Sequence, residues 1–290
     1  MKVLLKADLD PEVKTNNGTT VLHLAAQEGH IKCVEELLSY SVSVDVALPG
    51  NRMTPLCLAS RGQMECCKLL LKAGADPNHK YEDVDLLPKT PLMTAIEEDY
   101  AGCTQVLLEF GADVNKATYT SPLIMATQFS STKSLKLLLE HGVEVNYVDR
   151  GRNSALSLAV TRLGYSLSSQ EPIQQLECIK LLLKAGSAVS SLFNESPCMA
   201  FRDPSAPINP DVVKLLVDFV TSSREIQKIC YEHQSEIKWQ ELIKTINSPR
   251  SLQHLCRFVI RQKLGYKRLM KIDALPLPGC LKSFVKYSFL

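Results

Sequence analysis

Side chains able to do covalent chemistry are plentiful in this 290-residue chain, but they are not spaced to act together. Ten cysteines (33, 57, 66, 67, 103, 178, 198, 230, 256 and 280) include no Cys-x-x-Cys pair, and most fall within apolar helical patterns. Neither a disulfide framework nor a zinc site fits that spread. Cys66 and Cys67 are neighbours on a helix, where successive side chains diverge by about 100°, so they make a poor start for a metal site. No Gly-rich phosphate loop, no His-Glu-x-x-His and no Ser, His and Asp set at a telling spacing occurs. Glu97, Glu98 and Asp99 fall at a turn, where solvated charge is the common role. The expectation is a protein that is not an enzyme, with no catalytic residue, no metal site and no cofactor.

The chemistry that remains is that of binding, and it concentrates in the stretch from Ser248 to Leu290. Ser248 followed by Pro249 predicts a helix start, since a serine oxygen accepts an orphan N–H and proline presets φ. Leu252, Leu255, Cys256, Val259 and Ile260 then share one face at i, i+3, i+4, i+7 and i+8, and Gly265 supplies a left-handed stop. With Leu264 widening the arc, the helix is apolar over more than half its circumference. A tail of about two dozen further residues is too small to bury such a stripe alone, so part of it is made for a partner. Downstream, Leu275-Pro276-Leu277-Pro278 presents Leu277 on a stiff extended segment, and Leu281, Phe284, Val285 and Tyr287 resume helical spacing.

These two halves resemble the SOCS box. Its first helix carries a Leu-x-x-x-Cys-x-x-x-aliphatic pattern, matched by Leu252, Cys256 and Ile260, and its second half carries Leu-Pro-aliphatic-Pro, matched by Leu275 to Pro278. The resemblance implies a small three-helix domain. Its first helix, through Leu252, Leu255, Cys256, Val259 and Ile260, would dock on the elongin B/C heterodimer. Leu275, Pro276, Leu277 and Pro278 would contribute to the choice of a cullin-5 scaffold with its RING subunit. Cys256 is expected to be a buried small thiol and not a nucleophile, because Arg257 alone stands beside it to lower its pKa.

From Arg250 onward nine basic residues face one acid, Asp273, a charge of +8 in a chain whose total is +2. These bases alternate with apolar positions and no aromatic platform interleaves them, so a solvated basic face is expected in preference to nucleic-acid or membrane binding. No apolar run nears the roughly 20 residues of a membrane span, and Met1-Lys2-Val3-Leu4-Leu5-Lys6 lacks the core of a secretory signal. The expected location is intracellular: cytoplasmic, with the nucleus compatible.

What must position a binding surface is the rest of the chain, and it is repetitive. Thr20-Val21-Leu22-His23-Leu24-Ala25-Ala26, Thr54-Pro55-Leu56-Cys57-Leu58-Ala59, Thr90-Pro91-Leu92-Met93 and Ser121-Pro122-Leu123 each lead to paired leucines. The later three end in Gly74-Ala75-Asp76-Pro77-Asn78, Gly111-Ala112-Asp113-Val114-Asn115 and Gly142-Val143-Glu144-Val145-Asn146, with a period near 33 residues. The hydroxyl before proline caps a first helix, the leucines pack a second, and the glycine permits a left-handed exit. Each unit can hide its apolar face only against its neighbours. The pattern is similar to the ankyrin repeat over about residues 1 to 220. His23 is expected to hydrogen-bond within the turn, as the family uses it.

Two units depart from the pattern. Ser154 to Ala159 pairs with Cys178 to Leu183 across an insertion centred on Gly164 to Pro172, expected to be a solvent loop. A degenerate sixth unit runs from Ser196 to Leu216. Lys2 to Ala7 aligns with Lys68 to Ala73, so the first unit lacks its first helix and the array reads as shortened. The fold expected is therefore all-α: an ankyrin solenoid of about five to six repeats over 1–220, a helical bridge over 221–247 with Trp239 as packing anchor, and a SOCS box over 248–290. An unidentified target would be held at finger tips by Arg52, Tyr81, Tyr119, Tyr147, Arg150 and Arg152, because arginine and aromatic anchors dominate interfaces. Together these imply a non-catalytic substrate adaptor of a ubiquitin ligase; the alternative is an ankyrin scaffold whose tail only caps the array.

Overall fold

A computed structural model describes residues 10–82, 87–165, 171–192 and 210–219, with Tyr231, Gln240, Ile243, Lys244 and Ala274. The chain divides into two compact units between His141 and Gly142.

The first unit is built of four helix-turn-helix repeats. The first helices are α1 (Val21–Gln27), α3 (Pro55–Ala59), α5 (Pro91–Glu97) and α7 (Pro122–Gln128). The second helices are α2 (Ile31–Ser39), α4 (Met64–Lys72), α6 (Ala101–Glu109) and α8 (Thr132–Glu140). Each first helix starts where the sequence says it must. Thr20, Thr54, Thr90 and Ser121 sit in extended backbone and accept the N–H of the residue three on, with proline next in the last three. First helices pack on first helices and second on second, and the two helices of each repeat pack together. Leu37, Leu56, Leu70, Leu92, Leu107, Leu123 and Leu138 are wholly buried at these contacts. Truncating any one to alanine removes packing of the kind that costs about 2–5 kcal/mol.

The chain leaves each second helix through a left-handed residue. Gly74 and Gly111 do so at φ +95° and +87°, and Ser41 takes the same position in the first repeat at φ +54°. The turns between helices are left-handed too: Gly29 and Gly62, then Asp99 and Ser130 at φ +56° and +57°. Gly62 is also close-packed, since a Cβ there would lie 2.9 Å from the Tyr100 ring.

The fold is not entirely helical. β1 (Tyr81–Glu82) and β2 (Pro88–Lys89) pair antiparallel at the base of the finger between the second and third repeats, with Tyr81 opposite Lys89.

The second unit begins with the left-handed Gly142 at φ +81°. It contains α9 (Ala155–Tyr165), α10 (Glu171–Lys184), a 3₁₀ turn (Val189–Leu192) and α11 (Pro210–Phe219). α9 packs on α10 and on the 3₁₀ turn, and α10 packs on α11. The stretch expected to be a solvent loop is partly helical. Gly164 and Tyr165 complete an 11-residue α9, and Glu171 and Pro172 open a 14-residue α10. Proline is tolerated in a first helical turn, where its missing N–H has no intrahelical acceptor, and a single glycine does not stop a helix that packs. The proposed N-terminal helix of Lys2 to Ala7, the first part of the sixth unit, and Trp239 of the bridge lie outside the described residues.

Candidate protein-binding surfaces

The finger loops are held by side chains that reach the next repeat. Asn78 donates from Nδ2 to the Gly111 carbonyl (3.3 Å) and accepts the Asp113 N–H at Oδ1 (2.8 Å). In the second unit Asn146 repeats this, donating to the Gly186 carbonyl (3.4 Å) and accepting the Ala188 N–H (2.8 Å). A carboxamide has both a donor and an acceptor, so each asparagine ties two backbone groups of the following exit turn. Upstream the same register holds acids. Glu12 accepts the Ser43 N–H at 2.7 Å, and Asp45 accepts the Asp76 N–H at 3.2 Å. These carboxylates satisfy one group each.

His23 is a second tie between repeats. It is fully buried; its Nδ1 lies 2.8 Å from the Thr20 hydroxyl and its Nε2 lies 3.3 Å from the Met53 carbonyl. A carbonyl can only accept, so Nε2 carries the proton and Nδ1 accepts from Thr20. Burial lowers the pKa of this imidazole below its ordinary 6.5, opposed by the bonds to Met53 and Val46 and aided by the charge of Lys14. The unfolded chain therefore takes up a proton first as pH falls. The His23 contribution to stability is complete above pH 6.5 and is lost as pH drops below it toward the folded-state pKa. Melting temperature should fall over that acid range, and a His23→Gln variant should show a flatter profile there.

Cys57, Cys66, Cys67, Cys103 and Cys178 are buried. Burial pushes the Cys57 thiol up to about 11, and the Cys67 thiol is pushed up by the bond it shares with Cys103 and by burial. Neither is a thiolate near neutral pH. Among the described residues no group of three His, Cys, Asp or Glu could hold a metal ion, and no helix is long and apolar enough to cross a membrane. Glu97 is not merely solvated charge: its carboxylate lies 2.8 Å from the Lys89 ammonium, whose side chain is only 4% exposed.

The predicted finger-tip residues separate into two groups. Arg52, Arg150 and Arg152 are exposed, and Tyr119 and Tyr147 are half-buried. Tyr81 is not a surface residue. It is 1% exposed, it packs with Met53, Cys57 and Leu58, and its hydroxyl is hydrogen-bonded to Thr94. Strand alternation explains the correction, since side chains along β1 point to opposite faces, and Tyr81 takes the inner one while Glu82 is exposed. The SOCS-box positions Leu252, Leu255, Cys256, Val259, Ile260, Leu275, Pro276, Leu277 and Pro278 lie outside the described residues.

The asparagine ties were missed from sequence although their signal was present: Asn78 and Asn146 recur four residues after Gly74 and Gly142. Exposed apolar side chains also lie at or beside the helix–helix turns, where Ile31, Met64, Tyr100 and Phe129 are each about two-fifths exposed.

Residues 1–81 and 82–149 match the family of ankyrin repeats (three copies), and residues 248–286 match the SOCS box. Among similar proteins, "Ankyrin repeat and SOCS box protein 14" of Mus musculus is 25% identical over 308 residues, covering 95% of this chain and 50% of that protein. "Ankyrin repeat and SOCS box protein 2" of Homo sapiens is 27% identical over 219 residues, 68% of this chain and 34% of that protein. A Bos taurus protein called "Dynein axonemal heavy chain 12" is 26% identical over 317 residues, 98% of this chain and 86% of that protein. The chain thus spans half or less of the two ankyrin-repeat relatives.

Proposed function

Because the chain belongs to the family of ankyrin-repeat and SOCS-box proteins, we propose that it is a non-catalytic substrate-recognition adaptor of an elongin B/C cullin-5 ubiquitin ligase. Residues 248–290 form the ligase-facing domain and residues 1–220 the target-facing array, joined by a bridge over 221–247. Leu252, Leu255, Cys256, Val259 and Ile260 dock on the elongin B/C heterodimer, and Leu275 to Pro278 engage cullin-5. Arg52, Tyr119, Tyr147, Arg150 and Arg152 are the target-facing candidates. The adaptor works inside the cell, in the cytoplasm.

The observation that carries the reading is the match of residues 248–286 to the SOCS box beside repeats that build a stacked scaffold. Such an adaptor does no bond-making itself. It raises the effective concentration of a target lysine near a charged ubiquitin carrier supplied by other subunits. Four or five apolar side chains on the docking helix, each contributing about 1.5–3 kcal/mol before ordering costs, are enough for a tight complex.

The test is to mix the purified chain with purified elongin B/C and follow both by size-exclusion chromatography. Co-elution as one species is expected at low and at high salt, because the contact is apolar. Separate elution of the folded chain would leave only an ankyrin scaffold.

A further inference from the structure

We propose that Cys67 and Cys103 join in a peroxide-driven disulfide that staples the second repeat to the third. The two thiols stand on α4 and α6, the second helices of neighbouring repeats, which pack on one another. They are hydrogen-bonded to each other, and both are buried. Contact between the sulfurs is the first requirement of a disulfide, and these two meet it.

The proton between them is not shared evenly. The Ser60 hydroxyl donates to the Leu56 carbonyl (2.8 Å), so towards the Cys67 sulfur, 4.0 Å away, it can only accept. Cys103 instead receives donors: the S–H of Cys67 and the backbone N–H of Gly62, against the opposing effect of burial. Cys103 is therefore the readier of the two to become a thiolate, and Cys67 is the one that keeps its proton. That is the pairing of an attacking thiol with a resolving one.

The cover beside Cys103 is thin. A Cβ at Gly102, its neighbour in α6, would lie 2.9 Å from the Met64 sulfur, and one at Gly62 would lie 2.9 Å from the Tyr100 ring. Gly102 lies inside a helix, where glycine is otherwise a poor choice, and the contact with Met64 gives it a reason. Met64 and Tyr100 are exposed. The side chains resting on the Cys103 backbone and on its Gly62 donor thus belong to the surface, and turning them aside opens a path for a molecule little larger than water.

The oxidant is hydrogen peroxide. The Cys103 thiolate attacks one oxygen, the O–O bond breaks, hydroxide leaves and the sulfur becomes a sulfenic acid. The Cys67 sulfur then attacks the Cys103 sulfur, the S–OH bond breaks, and the Cys67 proton leaves with that hydroxide as water. The proton that Cys103 gave up neutralises the first hydroxide, so two thiols and one peroxide give one disulfide and two waters. In a reducing compartment such a bond is transient, formed under oxidant and cleared by thiols. The loop it closes contains the β1–β2 finger, so oxidation stiffens the seam from which that finger projects.

The test is to add hydrogen peroxide to the purified full chain, block free thiols, and carry out tryptic mass spectrometry without reductant. Peptides 62–68 and 90–116 should be linked. The first also carries Cys66, so a Cys66→Ser variant should still link while Cys103→Ser should not. Cys67→Ser should leave a sulfenic acid on Cys103 that dimedone labels. Cys57 is the control: equally buried but bonded to the Thr54 hydroxyl at 3.2 Å, it should stay reduced. The melting temperature should rise by about 5–10 °C on oxidation and return with dithiothreitol. The proposal is overturned by no link, by a link that survives Cys103→Ser or is lost in Cys66→Ser, or by no rise in melting temperature. Oxidation of Cys57 in step with Cys103 overturns it too, because that marks unfolding. The parent-protein readouts decide the matter even where a serine variant fails to fold.

Discussion

Replacing Leu252 and Cys256 together with polar residues should abolish recovery of elongin B/C while leaving the repeats folded and target binding intact. Both positions fall on the face that their spacing makes apolar in the helix predicted to start at Ser248-Pro249. Two apolar side chains withdrawn from a docked interface forfeit about 3–6 kcal/mol, which is two to four orders of magnitude in affinity. A nanomolar complex would become micromolar or weaker, beyond the reach of a pull-down. The measurement is elongin recovery on the immobilised variant beside a thermal melt of the repeats. Unchanged recovery would refute the docking assignment. Loss of both recovery and the melt would show instead that these side chains seal the chain's own core.

The second large effect is on stability. Lys89 lies at the base of the β1–β2 finger with its ammonium 2.8 Å from the Glu97 carboxylate. Glu97→Ala removes a carboxylate from that buried cation, and breaking a buried pair from one side costs about 3 kcal/mol. Chemical denaturation should show the unfolding free energy falling by that amount, seen as a lower midpoint with little change of slope. Replacing both partners with apolar residues, Lys89→Met with Glu97→Leu, should recover most of the loss, because no charge is then left to desolvate. If the single variant matched the parent protein, the ammonium would be satisfied without Glu97, and the pair would contribute nothing net.

How much of this was legible in the sequence depends on range. A cap such as Thr90 acts on Met93, three residues away, and an exit such as Gly74 acts on its own φ, so the helix starts and stops could be read directly. The proposed docking positions Leu252, Cys256 and Ile260 rest on equally local spacing, i, i+4 and i+8, which predicts one stripe on one helix. Asn78 has partners 33 and 35 residues downstream, and nothing within its own loop marks it as a tie. Tyr81 went astray for a related reason. Its loop is rich in charge and contains two strands of only two residues, too short to show alternation, so an aromatic that belongs to the core passed for one at the surface. The helical ends of the insertion, at Gly164 and Pro172, were hidden by the very residue types that usually end helices.

The carboxylates at Glu12 and Asp45 have a mechanical consequence. A carboxylate has no amide hydrogen to give to the carbonyl that Asn78 secures one repeat later, so the seams along the stack are graded in strength. Pulled from its leading end, the first unit should part there before it parts at Asn78, which makes the front of the array the compliant end and the rear the rigid mount.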